Sequence, residues 1–255
     1  MPLQFVTGKP ALLLGKTLVI ADLHLGVEYD FKKSGIKMPS QAGKLTESLD
    51  QLVKETKAQQ LVVLGDIKHE VPGTSFQELR EIPEFFRHFS DRMEVHVVLG
   101  NHDGGVERIL PKSVNIRESV GFPAGEVYLS HGHTWPDPTF LTCKHIIAGH
   151  RHPVFEFRDR MGYRFIEQVW LRGDLDAATI EGKYKNVPGN LPEVILIPAF
   201  NPLIRGGHPL NKKEEESYKR YMGPLINSIK YDGARLYMLD GTYLGTLSEM
   251  KTGQS

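Results

Sequence analysis

Apolar residues in the first half of the chain gather in short runs, each closed by glycine or a polar residue: Leu18-Val19-Ile20-Ala21, Leu61-Val62-Val63-Leu64 and Val95-His96-Val97-Val98-Leu99. Runs of this length, rich in Val and Ile and lacking strict polar alternation, predict strands buried on both faces. Between the first two, Leu45, Leu49, Leu52 and Val53 lie at i, i+4, i+7 and i+8, one face of a helix from about Ser40 to Ala58. Ser40, following Pro39, is the expected N-cap. Between the second and third, Phe76, Leu79, Ile82, Phe86 and Phe89 recur every three or four residues and predict another helix, kinked or restarted at Pro83. Strand, helix, strand, helix, strand is the pattern of βαβ units with right-handed crossovers.

The second half is strand-rich. Val127-Tyr128-Leu129, His145–Ala148, Val154–Phe157, Tyr163–Ile166 and Val194–Ile197 are closely spaced apolar runs. Ala234–Leu239 and Thr242–Leu244, joined by Asp240-Gly241, predict a hairpin, because Asp-Gly suits a two-residue turn with positive φ. Gly206–Tyr221, with Lys212-Lys213 and Glu214-Glu215-Glu216, predicts a solvated loop and short helix. No internal repeat or low-complexity linker interrupts the chain. The expectation is one α/β domain over 1–255 with mixed sheets.

Composition narrows the classes. At 255 residues the chain can bury a large core without disulfides or a structural metal. Its single cysteine, Cys143, excludes a disulfide framework, fits a reducing, cytoplasmic setting and reads as a small core residue. No apolar run approaches a membrane span, and the N-terminus lacks a signal pattern. Lys+Arg and Asp+Glu number 31 each, so the broad basic footprint of a non-specific nucleic-acid binder is absent. What remains distinctive is the placement of eleven histidines.

Five apolar runs end in metal-binding residue types: Asp22-Leu23-His24, Gly65-Asp66, Gly100-Asn101-His102-Asp103, His131-Gly132-His133 and Gly149-His150-Arg151-His152. Ligands in α/β sheets bind beyond the carboxyl ends of the strands, so five such ends can meet in one crevice. Residues two apart in extended chain share a side, which would pair Asp22 with His24 and His150 with His152. Imidazole, carboxylate and amide oxygen suit Mn²⁺, Fe²⁺, Zn²⁺ or Co²⁺ better than a soft thiolate-seeking ion. Four histidines, two aspartates and an asparagine exceed what one ion with open positions needs. They match two ions sharing one carboxylate, the arrangement that clamps the attacking and leaving oxygens of an in-line phosphoryl displacement.

The ordered set D-x-H, GD, GNHD, H and GHxH, from Asp22 to His152, resembles the calcineurin-like metallophosphoesterase superfamily. ADLHLGVE, LGDIKHE, IPAFNPLIRGG and LDGTYLGT are similar to its SbcD-related archaeal and bacterial phosphoesterases and extend the likeness over most of the chain. The resemblance implies an αββα sandwich: two packed mixed sheets flanked by helices. It implies Asp22, His24 and His152 on one metal, Asn101, His131 and His150 on the other, and Asp66 bridging. Mn is the expected metal, with Fe, Zn, Co or Ni able to replace it. It further implies His102 as the group that protonates the leaving oxygen or stabilises charge there, Asp103 orienting it, and a metal-bridging hydroxide as nucleophile. Leu99, where protein Ser/Thr phosphatases carry Arg before their GNHE block, argues against that class; the chain is also too short for the full cap of an SbcD nuclease.

Around these blocks, His133 could replace His131 as ligand, lie behind it or touch substrate phosphate; only the family pattern favours His131. His69 is either a donor to a ligand or a loop residue. Arg151 has the reach for a phosphate, and Trp135 is the better substrate-contact aromatic, Trp170 reading as core. Five arginines between Arg151 and Arg172, against Glu156, Asp159 and Glu167, could line a nucleic-acid groove. His88, His96, His145 and His208 receive no role. The leading expectation is a two-metal phosphodiesterase or nuclease acting on DNA or RNA. A hydrolase of a small nucleotide or phosphoester is the alternative, and a non-catalytic metal-bound scaffold for a partner the third. A symmetric homodimer is the default oligomer.

Overall fold

Side chains on successive positions of the apolar runs pack against different layers, which explains why those runs carry no polar alternation. In a computed structural model, which describes residues 2–204, 208–212 and 216–252, the first sheet runs β1 (Leu3–Phe5), β2 (Leu12–Leu14), β3 (Thr17–Ala21), β4 (Gln60–Leu64), β5 (Glu94–Val98) and β6 (Val114–Arg117), neighbouring in that order. Strands β3 to β6 are parallel, and β1 and β2 are added antiparallel. Helices α1 (Glu28–Lys33), α2 (Ala42–Thr56) and α3 (Phe76–Ser90) belong to this half. Leu18, Ile20, Leu61, Val63, Val95 and Val97 pack with Leu45, Leu49 and Leu52 of α2 and Ile82, Phe85, Phe86 and Phe89 of α3. Their neighbours Val19, Ala21, Val62, Leu64 and Val98 turn the other way, onto Leu129, Ile147, Ile195 and Trp170 of the second sheet.

That second sheet holds β7 (Phe122–Ala124), β8 (Val127–Ser130), β9 (His145–Ala148), β10 (Val154–Arg158), β11 (Arg164–Gly173), β12 (Glu193–Leu196), β13 (Arg235–Met238) and β14 (Tyr243–Thr246). Its order is β14-β13-β11-β12-β9-β8-β7, with β10 paired to β11 beside it. Strands β8, β9 and β12 are parallel and the other pairings antiparallel. On the outer face Tyr128, Ile146, Ala148, Leu171 and Leu196 meet Ile180 of α4 (Ala177–Lys183) and Leu225 and Ile226 of α6 (Gly223–Asn227). Short helices α5 (Glu216–Tyr221) and α7 (Leu247–Thr252) complete the described chain. The result is the expected single αββα sandwich of two mixed sheets.

Register brings the strand ends together. Ala21 pairs with Leu64 and Leu64 with Val98, so Asp22, Gly65 and Leu99 leave the first sheet at one edge. Ser130 pairs with Ala148, so His131 and Gly149 leave the second sheet together.

Several expectations change in detail. Helix α2 begins at Ala42 with Gln41 as N-cap; Ser40 instead accepts from the Ala42 N–H and donates to Glu81. Pro83 lies inside one unbroken α3. The carbonyl it leaves without an intrahelical donor belongs to Leu79, on the solvent side, so the cost stays small. Phe76 and Leu79 are exposed, and the buried face carries Glu78 and Glu81 in their place. Strand β11 runs on to Gly173, well past Ile166, because its second half pairs with β12 and β13. Strand β13 ends at Met238, with Gly241 at φ 92° in the connection. In the expected loop from Gly206, residues 205–207 and 213–215 lie outside the described residues, and the helix is α5. Cys143 is a buried free thiol and Trp170 is buried between the sheets, as expected. No helix among the described residues is long and apolar enough to cross a membrane.

Replacing buried Phe86 by Ala is expected to cost about 3–5 kcal/mol, whereas Phe76→Ala should stay within about 0.5 kcal/mol of wild type, read from urea unfolding. A second expectation concerns acid. Burial alone would raise the Asp50 carboxyl, but Arg92 and His88, both bonded to it across α2 and α3, hold it below the usual range. A depressed carboxyl stabilises above its unfolded pKa and loses that contribution as pH falls through its folded value. Asp50→Asn should therefore cost about 1 kcal/mol or less near pH 7, with mutant and wild-type unfolding midpoints converging as pH falls through and below the usual carboxylate range.

Candidate metal centre

The two strand edges converge on two buried carboxylates. Asp22 and Asp66 are at most 1% exposed, and among the described residues their ion-pair partners are all histidines. Asp66 faces two ways. Its Oδ2 lies 3.6 Å from His24 Nε2, and its Oδ1 lies 3.4 Å from His131 Nε2. On the first side His152 Nε2 stands 3.2 Å from Asp22 Oδ1 and 3.4 Å from His24 Nε2. On the second, Asn101 Oδ1 stands 3.1 Å from His131 Nε2. Donor atoms of Asp22, His24, Asp66 and His152 lie mutually within 4.8 Å, as do those of Asp66, His131 and His150.

The backbone that aims these groups is strained. Asp22, His24, Asp66, His150 and His152 all adopt positive φ, between 40° and 63°. L-residues avoid this region, and each costs roughly 1–3 kcal/mol unless its surroundings impose it. Asp22 and His24 therefore meet through left-handed turns and not through an extended strand. The turns are held by His24 N–H to the Asp66 carbonyl at 2.8 Å, Leu25 N–H to Ile67 at 2.8 Å, and the buried Asn201 amide to the Leu23 carbonyl at 2.8 Å. Two glycines permit the close approach. A Cβ at Gly65 would meet the His131 ring, and one at Gly100 would meet the Asp66 backbone nitrogen and Oδ1.

Hydrogen bonds set which imidazole nitrogen faces the centre. His131 Nδ1 donates to the Leu64 carbonyl at 2.9 Å, leaving Nε2 toward Asn101 and Asp66. His102 Nδ1 donates to the His69 carbonyl at 2.8 Å, leaving its Nε2 at the opening. Burial alone would raise the Asp66 carboxyl, but His131, then His24 and His102, hold it well below the carboxylate range. Burial would lower His131, yet Asp66 and Asp22 push it up to about 10. Burial, helped by neighbouring histidines, draws His24 well below its usual value and His150 and His133 down to about 3 and 4, keeping those rings neutral.

A dinuclear cation site fits this donor set. Two ligands held about 2.0–2.2 Å from one ion at near-right or tetrahedral angles stand roughly 3–3.6 Å apart, and the donor pairs above fall in that span. The paired carboxylates, with His24 and His150 held neutral beside them, also call for positive charge, which a divalent ion would supply.

Residues 15–178, which include every one of these residues, match the family described as calcineurin-like phosphoesterase. The chain belongs to the calcineurin-like phosphoesterase family. No curated protein sequence matches it. Among solved structures it resembles the Pseudomonas putida nuclease MPE, at 21% identity and TM-score 0.56, over 95% of this chain and 100% of that one. A lesser likeness, at 19% identity and TM-score 0.37, is to Yfce, a phosphoesterase from E. coli, over 56% of this chain and 73% of that one. Membership makes the centre that of a phosphoester hydrolase.

Within this calcineurin-like phosphoesterase the remaining candidates separate. Asp103 does not bond the His102 ring: its oxygens accept from Ile67 N–H and Gly100 N–H at 2.8 Å, tying together the loops after β4 and β5. Burial, reinforced by the Asp66 charge, pushes its carboxyl up to about 6. The group orienting His102 is the His69 carbonyl. His69 also places Nδ1 3.3 Å from His24 Nδ1 and Nε2 2.8 Å from Asp30, a chain of contacts behind a proposed ligand. His133 sits beside His131 and His150, with ring centroids 5.1 and 5.9 Å away, but outside both donor groups. Arg151 is buried, not on a rim, and donates to the His208 carbonyl at 2.9 Å. Trp135 packs edge-on against Tyr184 beside the outer core. The five arginines form no single groove, since Arg151 is buried and Arg172 pairs with Glu193.

One residue escaped the sequence reading. Tyr221 of α5 brings its hydroxyl 3.0 Å from His102 Nε2 and 3.1 Å from Asn101 Nδ2, and its carbonyl 3.3 Å from His150 Nε2. It lies far along the chain, beyond the family match, in a stretch whose charges read only as solvated.

Asp66→Asn is expected to reduce bound Mn²⁺, measured by elemental analysis after dialysis, from two ions per chain to near none. Gly100→Ala should weaken binding about 10- to 100-fold by displacing the same carboxylate. Two ions retained by Asp66→Asn would break the shared-carboxylate assignment.

Proposed function

We propose that the chain is a two-metal phosphodiesterase that cleaves nucleic acid, in the manner its SbcD-like blocks imply. The observation that carries the two-metal part is the divided carboxylate of Asp66, one oxygen toward His24 and the other toward His131. In this reading Asp22, His24 and His152 hold one ion, Asn101, His131 and His150 the other, and Asp66 both. The donors suit Mn²⁺, Fe²⁺, Zn²⁺ or Co²⁺, and Mn²⁺ is the ion the resemblance points to. When bound, such ions polarise phosphoryl oxygens and make water a competent nucleophile near neutral pH.

The chain's own residues do the rest. The His69 carbonyl holds the His102 Nδ1–H, so that Nε2 faces the opening as the nitrogen that would take up a proton and pass it to the leaving oxygen. Tyr221 positions that nitrogen from the open side, its hydroxyl spanning His102 and Asn101. Asp103 maintains the spacing between the loops that carry Asp66 and His102. A polynucleotide, as against a small ester, is favoured by the aromatic groove that leads to His102, described below. The Pseudomonas putida protein that shares the fold is itself named a nuclease. The buried lone thiol Cys143 supports a reducing, cytoplasmic setting.

The test is turnover of end-labelled single-stranded DNA by protein stripped of metal and reloaded with Mn²⁺, with His102→Ala and Asp66→Ala beside it. Cleavage is expected from wild type. His102→Ala should keep its metal and lose about 100-fold or more in rate, and Asp66→Ala should lose both. Protein holding two ions that hydrolyses a small diester but no polynucleotide would overturn the nucleic-acid reading in favour of a small phosphoester.

A further inference from the structure

Phe76 begins α3 with its ring 92% exposed, although the helical period of its neighbours would bury an apolar residue there. It is not alone. Tyr29 is 39% exposed and Val71 55%. Tyr29 and Phe76, with Lys32, Glu70 and Arg80, line a groove of about 640 Å³ between α1 and the start of α3. Glu70 is shared with a second cavity of about 320 Å³, which His69, Val71 and His102 also line. The two adjoin at Glu70, and the second reaches His102.

The segment presenting these side chains is fixed from beneath by two buried charged residues that metal binding does not use. Lys68, 1% exposed, donates its ammonium to the carbonyls of Glu70 and Gly73. Glu78, fully buried, accepts from the N–H groups of His69 and Glu70 with one oxygen and from Ser75 N–H and hydroxyl with the other. Burying an ammonium and a carboxylate is costly unless each is fully hydrogen-bonded, and here both are spent on seven residues of backbone. A segment that only joined β4 to α3 would need neither. The opposite wall is wired to the centre as well: His69 Nε2 contacts Asp30 at 2.8 Å, and Lys33 joins Asp30 and Glu70 while lying 4.6 Å from the Tyr29 ring centroid.

Exposed aromatic side chains at Tyr29 and Phe76 stand beside Lys32, beside Lys33 paired with Asp30 and Glu70, and beside Arg80 paired with Glu81. Next to a phosphoester-cleaving centre, rings and exchangeable cations together match one ligand chemistry, a polyanion with accessible planar rings. A duplex hides its base faces in the stack, whereas a single strand leaves them open to aromatic side chains. We propose that this groove is the track of single-stranded nucleic acid entering the metal centre, with bases stacking on Phe76 and Tyr29 and phosphates meeting Lys32 and Arg80. The proposal rests on the nuclease reading above and adds the form of the substrate and its path.

The test uses full-length protein, with three measurements on wild type, Phe76→Ala and the Phe76→Ala/Arg80→Ala pair. Anisotropy of a labelled single strand of about twelve nucleotides on metal-free protein reads binding directly. Phe76→Ala should weaken it roughly 5- to 100-fold, and loss of Arg80 should flatten the dependence of log affinity on log salt by about 0.7. KM for the same strand with Mn²⁺ should rise in parallel, while kcat/KM for bis(p-nitrophenyl) phosphate, which spans only the centre, should hold. Unchanged oligonucleotide affinity and KM in both variants would overturn the groove while leaving a wild-type nuclease standing. Equal losses on the small diester would also overturn it, by making Phe76 a support of the centre. If wild type turns over the diester but no strand, the nuclease reading fails, and the groove proposal with it. A wild type that prefers duplex over single strand, with Phe76→Ala neutral, would overturn both the single-stranded form and the path while leaving the nuclease reading standing.

Discussion

Two carboxylates withdrawn from water at the junction of two sheets set the terms for the rest of the molecule. Asp22 and Asp66 sit where strand ends from both sheets meet, and no lysine or arginine pairs with either among the described residues. Negative charge in a low-dielectric setting must be balanced, and the balance here comes from imidazoles. Their response is uneven. The ring between the two carboxylates, His131, is drawn toward protonation, while His24 and His150 are held neutral by burial and by other neighbouring histidines. That division leaves nitrogen lone pairs and carboxylate oxygens facing shared volumes, which is the electrostatic definition of a divalent cation site.

Meeting that constraint shapes the backbone. Side chains can converge from several strand ends only if the chain turns sharply at each, and five of the proposed ligands do so in left-handed conformations. The strain is borne by cross-loop hydrogen bonds. Asp103 bridges the loops after β4 and β5, and Asn201, arriving from the distant end of β12, closes over the Asp22 loop. Glycine at 65 and 100 is required because neighbouring loops pass so closely. The extensive apolar layers between sheets and under the helices provide the rigid frame against which this strain is held.

Beyond the centre, the same economy of buried charge recurs in the segment after β4. Lys68 and Glu78 are as fully withdrawn as the metal-binding groups, yet they bind only backbone and the Ser75 hydroxyl. Their effect is to hold an aromatic rim in a fixed relation to His102 through the His69 carbonyl. The centre and the groove beside α1 thereby share one hydrogen-bonded chain, from Lys33 through Asp30 and His69 to His102.

The primary sequence already determined the layered α/β plan and the metal-binding blocks, because both are local. Burial on two faces leaves continuous Val and Ile runs, and a ligand loop must follow its strand directly, so DLH, GD, GNHD, HGH and GHRH are legible without any contact map. Tertiary structure decided what depends on residues distant in sequence. Short strands such as β1, β2 and β7 owe their form to pairing partners and carry little signal in three residues. Periodicity would have buried Phe76, but the helix turned Glu78 inward because its carboxylate serves backbone groups nine residues before it in the fold. Asp103 bonds backbone N–H groups of Ile67 and Gly100, not the His102 ring, because the loops after β4 and β5 pack together there. Tyr221 had no sequence signal at all: a lone tyrosine in a charged stretch becomes part of the centre only when α5 packs across its opening. Local patterns record which residues a strand end carries; only the assembled chain fixes which of them share a hydrogen bond, because that depends on distances between segments that sequence order does not encode.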